Sequence, residues 1–232
     1  LRNPYFKLSR ENFKPDRRLL GKCISLGVPF GFQGGLIAVS LVALQSIINQ
    51  FGETVIAAFT ATTRIEQLIQ QPYNSLGSAV ATFTGQNLGA GKVERVQRGY
   101  RKSSLIVIVF SLIMCAIMFL FGDNLVRLFV NDPEVVAIGG AGIRIPSLFY
   151  IPLGMIYVAR SVLNGAGDSR FAFVSGLVEV IGRVGFSMIL VKLPVFGYWA
   201  VWFTTGLTWL ITGAVCMIRY GQGKWKVISL VK

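Results

Sequence analysis

The stretch TGQNLGAGKVERVQRGYRKSSLIVIVFSLIMCAIMFLFG, Thr84 to Gly122, joins two segments of opposite character. The first carries four glycines and five basic residues, Lys92, Arg95, Arg98, Arg101 and Lys102. The second, Ser103 to Gly122, has no charge in twenty residues. An uncharged apolar run of about 18 residues or more is long enough to cross a bilayer. The basic half is then either a ligand loop or the elbow that leads into a span. A phosphate loop needs Gly, four residues, then Gly-Lys-Ser/Thr, because the spacing wraps the phosphates and the hydroxyl holds magnesium. Five residues separate Gly85 from Gly91-Lys92, and Val93 follows, so both requirements fail. The similar GAGDSR at 165–170 has Arg170 where a dinucleotide loop needs its third glycine, and no βαβ pattern surrounds it.

The whole chain supports the membrane reading. It is 53% hydrophobic and 14% charged over 232 residues, against about 25% charged in soluble domains. Residues 23–52 and 193–218 are also free of Asp, Glu, Lys and Arg. The first 22 residues hold seven basic residues and do not resemble a signal peptide. Histidine is absent, which removes the commonest general base and metal ligand. Cys23, Cys115 and Cys216 lie far apart in apolar runs, read as small buried residues, and match no metal spacing. No catalytic residue, metal site or cofactor is expected.

The fold class is therefore an all-α membrane protein, a six-transmembrane-helix bundle. Spans are expected near 20–50, 54–86, 103–122, 134–163, 170–191 and 196–219, joined by turn-forming sequences such as NLGAGK and NGAGD. A basic segment at 1–19 precedes the lobe at 20–220, and a basic tail follows at 221–232. Pro133 suits the first turn of the fourth span, with Asn131 or Asp132 as its cap. Seventeen basic residues fall on the side of the two termini and only Arg127 and Lys192 on the other. Cytoplasmic loops carry the basic excess, so both termini are expected in the cytoplasm. The net charge of +13 is thereby an orientation signal and calls for no nucleic acid.

Polar residues inside the spans mark the candidate site. Arg64, Gln67, Gln71, Asn74, Ser78 and Thr82 recur at steps of three and four, on one face of the second span. Arg64 and Glu66 fall about 15–18 Å from its start, near the membrane midplane. Charges there are costly and face protein or a wet cavity. The stripe is read as a cavity lining, with Pro72 and Gly77 weakening its helix. Glu179 and Arg183 form an i,i+4 pair, and Glu66 is the candidate partner of Arg144 unless it serves a cationic ligand or a proton. Pro29, Gly31 and neighbouring glycines around Gln33 suggest a bent, closely packed first span. Trp199, Trp202 and Trp209 are expected at lipid or the interface.

The motifs SLGVPFG, TRIEQLIQQPYNSLGSAVATFTGQNLGAGK and ARSVLNGAGDSRFAF, in this order and spacing over residues 20–220, resemble the C-terminal six-helix lobe of multidrug and toxic compound extrusion (MATE) transporters. The resemblance implies twelve helices in two lobes, with this chain a fragment or half lacking the N-terminal six-helix lobe. It implies export of cationic or amphiphilic compounds by antiport with sodium ions or protons, across a bacterial inner membrane. It implies substrate contacts from Gln33, Arg64, Glu66, Gln67, Gln71 and Asn74, and motif or hinge roles for Pro29, Gly31, Pro72, Gly89, Gly91, Gly165 and Gly167. Some members carry ion-binding acids in parts matching 33–37 and 151–156, where this chain has none; its ion site would then lie in the other lobe. A lipid-linked sugar flippase and a non-transporting half that needs a partner remain open. An intramembrane enzyme finds no catalytic residues here.

The orientation predicts that Gln97→Cys is shielded from a membrane-impermeant thiol reagent added outside cells, in a background without the native cysteines, whereas Asn131→Cys is labelled. The reverse pattern would reject it.

Overall fold

The computed structural model describes residues 16–226. Most of the basic segment at 1–19, and residues 227–232 of the tail, lie outside them. Seven α-helices run through the described residues: α1 Arg17–Ile48, α2 Glu53–Gly89, α3 Val93–Arg127, α4 Pro133–Ser147, α5 Tyr150–Gly165, α6 Ser169–Leu190 and α7 Ala200–Gly221.

Four of them, α1, α3, α6 and α7, are long and apolar enough to cross a membrane. The expected fourth span is broken. It forms α4 and α5, which meet at 51° across Leu148 and Phe149. Pro152 stands in the first turn of α5, where a missing N–H is tolerated but cannot continue a ladder from α4. The pair counts as a fifth crossing. The second expected span is α2, 37 residues and about 55 Å long, which its composition alone does not mark as a crossing. It is less apolar because its polar stripe runs most of its length. The third helix begins ten residues earlier than expected: the basic elbow itself is helical from Val93.

Local chemistry sets the helix ends. Asp132 caps α4, its Oδ1 accepting from the backbone N–H of Glu134 at 2.8 Å and of Val135 at 3.3 Å. Asp168 caps α6 through Phe171 N–H at 3.3 Å and also holds Arg219 of α7 at 2.7 Å. Gly91 and Gly167 leave α2 and α5 with φ of +71° and +81°, a region that favours glycine. Gly165 serves a close approach instead: a Cβ there would stand 2.3 Å from the Ala81 carbonyl oxygen. Gly89 is a helical residue with open space around it.

The main core lies among α2, α3, α5 and α7, around Tyr73, Val107, Tyr150 and Val158. A second cluster joins Leu44, Ile48, Val55, Ala58 and Val201 to Trp202. Trp202 and Trp209 are therefore core residues, contrary to a lipid-facing role. The Trp202 indole N–H finds Thr62 Oγ1 at 3.1 Å, so its polar edge is satisfied inside. Pro72 is itself exposed within an unbroken α2, and Gly77 meets Ser161 of α5, so neither interrupts the helix.

Helix α1 packs mainly on α6. The glycines of α1 do not make its close packing, since Gly27, Gly31, Gly34 and Gly35 have no neighbour that an added methyl would meet; the close approach around Gln33 comes from α6, where a Cβ at Gly176 would stand 3.2 Å from Gln33 Cα. Gln33 is buried and donates to Ser175 Oγ of α6 at 2.8 Å. It is an interhelical tie. Cys23 is exposed and Cys216 buried, so the burial expected of all three cysteines fails for the first.

Buried charge fixes the other joints. Glu179 receives Arg183 at 3.3 Å, as expected, and also Arg160 of α5 at 3.1 Å. Arg183 reaches on to Ser40 of α1. One carboxylate thus joins α5 to α6, and α6 to α1. Arg144 does not meet Glu66. It pairs with Asp123 of α3 at 3.2 Å, because α3 extends past the expected span and brings its own acid alongside α4.

Glu179→Gln should destabilise the protein by about 3–5 kcal/mol, since it leaves two buried guanidiniums without a counter-charge. Asp123→Asn, in a half-exposed pair, should cost below about 1 kcal/mol. Thermal unfolding in detergent checks this, with Arg160→Met expected to restore part of the Glu179→Gln loss. Equal, small losses would contradict the buried bridge.

Candidate functional site

The polar side of the α2 stripe is uncovered. Arg64, Gln67, Gln71, Asn74, Ser78 and Thr82 are all exposed on the one face that their spacing predicts. Hydroxyls fold back on the helix, Ser78 to the Asn74 carbonyl at 3.0 Å and Thr82 to that of Ser78 at 3.1 Å. The amides of Gln67, Gln71 and Asn74 stay free to meet water or a ligand.

The first half of the stripe opens into a cavity of about 520 Å³ bounded by α1, α2, α5, α6 and α7. Thr60, Thr63, Arg64, Gln67 and Gln70 of α2 form its polar wall, with Leu41 of α1, Ile156 of α5 and Trp209 of α7 as apolar walls. Tyr157 donates its hydroxyl to Gln70 Oε1 at 2.9 Å and stacks on Tyr73, which fixes that wall to α5. The volume falls in the range of small-molecule sites, and so does the mixture of apolar surface with a few polar groups.

Five charged groups line the cavity: Arg64, Arg160, Arg183, Glu66 and Glu179. Glu179 is committed to its two arginines. Glu66 is 9% exposed and makes neither hydrogen bond nor ion pair among the described residues; the cation whose field reaches it is Arg183. Arg64 is exposed at the mouth. Three guanidiniums thus face two carboxylates. Among the described residues no cluster of His, Cys, Asp and Glu could hold a metal ion.

Of the sequence-predicted site residues, Arg64, Glu66 and Gln67 come together in the cavity wall. Gln71 and Asn74 share the open face outside the cavity, and Gln33 is packed away against α6. Sequence reasoning missed Arg160. Its signal was charge counting: it is an arginine in the span that shares the NGAGD turn with the span carrying Glu179, and it has no acid within helical reach of its own. Gln70 lies off the face of the stripe, one turn beyond Glu66, yet the cavity wraps far enough around α2 to include it.

Comparison with known proteins agrees with this architecture. The family model described as MatE matches residues 29–189. A relative described as probable multidrug resistance protein YpnP of Bacillus subtilis (strain 168) is 27% identical over 214 residues, covering 89% of this chain and 46% of the relative. Among solved structures, one described as MATE in complex with MaL6 superposes with a TM-score of 0.86 at 21% identity, over 97% of this chain and 51% of that one. A MOP superfamily transporter from Pyrococcus furiosus Vc1, described as having a binding pocket of reverse polarity that suggests a different function, gives 0.88 at 20% identity, over 97% and 50%. At these identities the superpositions speak for the fold alone. The chain spans about half the length of the curated relatives it matches. With two thirds of its length matched by the family model and its helices superposing on half of a solved MATE structure, the chain belongs to the MatE family.

Proposed function

We propose that this chain is the C-terminal half of an efflux transporter that exports amphiphilic drugs, cationic ones first, by antiport with sodium ions or protons. The observation that carries the reading is the uncovered polar face of α2 beside a cavity at membrane depth. Hydrogen-bonding groups exposed to lipid are unfavourable, so that face calls for a second polar wall, supplied by an N-terminal six-helix half. Family membership and the name of the Bacillus relative support drug export. The setting is a bacterial inner membrane with both termini in the cytoplasm. In the chemistry of transport, Glu66 offers the unpaired carboxylate for a cationic group or a proton, Gln67 and Gln70 give hydrogen bonds, and Trp209 and Ile156 bury apolar parts.

A second reading has one specific observation behind it, the excess of guanidinium over carboxylate in the cavity. Arg64 and its neighbours suit a phosphate or carboxylate, as in a flippase of lipid-linked sugars.

In energised vesicles carrying both halves, export should collapse with the ion gradient and ignore ATP removal. Gln67→Leu should change affinity by a factor of about 2–13, the worth of one neutral hydrogen bond. Glu66→Gln should leave expression intact while lowering export, and Arg144→Gln should not rescue it, since Arg144 belongs to Asp123. Export that requires ATP and survives gradient collapse would defeat antiport. Competition by organic anions and none by organic cations would favour the second reading.

A further inference from the structure

A second cavity of about 550 Å³ lies between α2 and α3, away from the first. Its floor is Phe83, whose ring rests on the bare backbone of Gly99: a Cβ at that position would stand 2.7 Å from the ring. Leu76, Ala79 and Val80 continue it as an apolar trench along α2. Its rim at one end is basic, with Arg95, Arg98 and Lys102 at steps of three and four on α3. Arg98 shares its charge with Glu94 at 3.3 Å. Arg95 and Lys102 have no ion-pair partner among the described residues and are exposed. In the wall between them and the trench, Thr84 is fully buried, with an Oγ1 that has no hydrogen-bond partner.

The order of these features along α3 identifies the occupant. Arg95 and Lys102 stand on the helix face that continues as Ile106 and Val109, both exposed and apolar. Lys102 is the last charge before the uncharged stretch that begins at Ser103. The cations therefore sit at headgroup depth and the trench at acyl depth. A soluble phosphate compound would leave the trench unused. A nucleotide would need an open aromatic face; of the two rings that line the cavity, Tyr100 is already stacked on Tyr220 at a centroid distance of 3.7 Å and Phe83 lies against Gly99. We infer that the α2–α3 groove is a binding site for one anionic phospholipid, with its phosphate between Arg95 and Lys102 and an acyl chain along Phe83, Ala79 and Leu76. The site would fasten the elbow of the lobe to the leaflet, independently of what is transported.

The test is native mass spectrometry of the full chain, extracted from vesicles of equal phosphatidylglycerol and phosphatidylcholine. One retained phosphatidylglycerol per chain is expected, in preference to phosphatidylcholine. Each cation removed near an anionic headgroup should weaken that preference about fivefold, so Arg95→Gln with Lys102→Gln should reduce it about twenty-fivefold. Ala79→Trp, which fills the trench and leaves every charge in place, should lower retention of the lipid while leaving the protein folded by circular dichroism. Absence of a phosphatidylglycerol preference in the unaltered chain, or retention unchanged in both variants, would overturn the proposal. So would complete displacement of the lipid by soluble glycerol phosphate, which would make it a site for a free anion.

Discussion

One carboxylate between two guanidiniums, deep in the bundle, organises this lobe. Glu179 binds Arg160 and Arg183 at 3.1 and 3.3 Å, and through Arg183 reaches Ser40 on α1. Charges at membrane depth are tolerated where they meet one another or face a wet cavity. The bridge therefore sets the rotation and register of α5 against α6 and of α6 against α1. Gln33 and Ser175 repeat the logic with neutral groups, one turn or two away along the same α1–α6 seam. Helix α1 has little apolar packing beyond that seam and one end cluster.

The same bridge shapes the cavity. Arg160, Glu179 and Arg183 close its far side, while α2 closes its near side with amides and hydroxyls. Because Glu179 is already shared by two cations, its charge is not available to a ligand. Glu66 and Arg64 remain the groups whose charge a ligand can meet. The cavity therefore combines a fixed ionic wall with an adjustable one. In the transporter proposed above, that division would let the first hold the helices while the second meets cargo.

Much of this was legible in the sequence because bilayers impose simple rules. Uncharged runs located most spans, and helical periodicity placed Arg64, Gln67, Gln71 and Asn74 on one face. Both follow from the cost of polar groups in lipid and the 3.6-residue turn. The turn glycines Gly91 and Gly167 were legible for a similar reason, as positive φ leaves few alternatives. What failed was partner choice. Arg144 found Asp123 and Arg160 found Glu179, since pairing depends on how helices lean, and periodicity within a helix carries no information on that. The break at Leu148 and Phe149 was hidden because Pro146 and Pro152 stand in a run that is otherwise continuously apolar. Trp202 and Trp209 look like interface residues by type; glycines on facing helices make the room that buries them, as at Gly142, where an added Cβ would strike the Trp202 ring.

The central claim is that the polar face of α2 meets water at membrane depth, as part of a path between two halves. Cysteine accessibility tests it most directly, in cells that carry both halves and a background without native cysteines. Gln67→Cys, Gln71→Cys and Asn74→Cys should react with a charged, water-soluble thiol reagent, and an amphiphilic substrate should protect them. Leu105→Cys, on the exposed apolar face of α3, should not react. If the three stripe positions are as inert as Leu105→Cys, the stripe does not line an aqueous path, and the account fails.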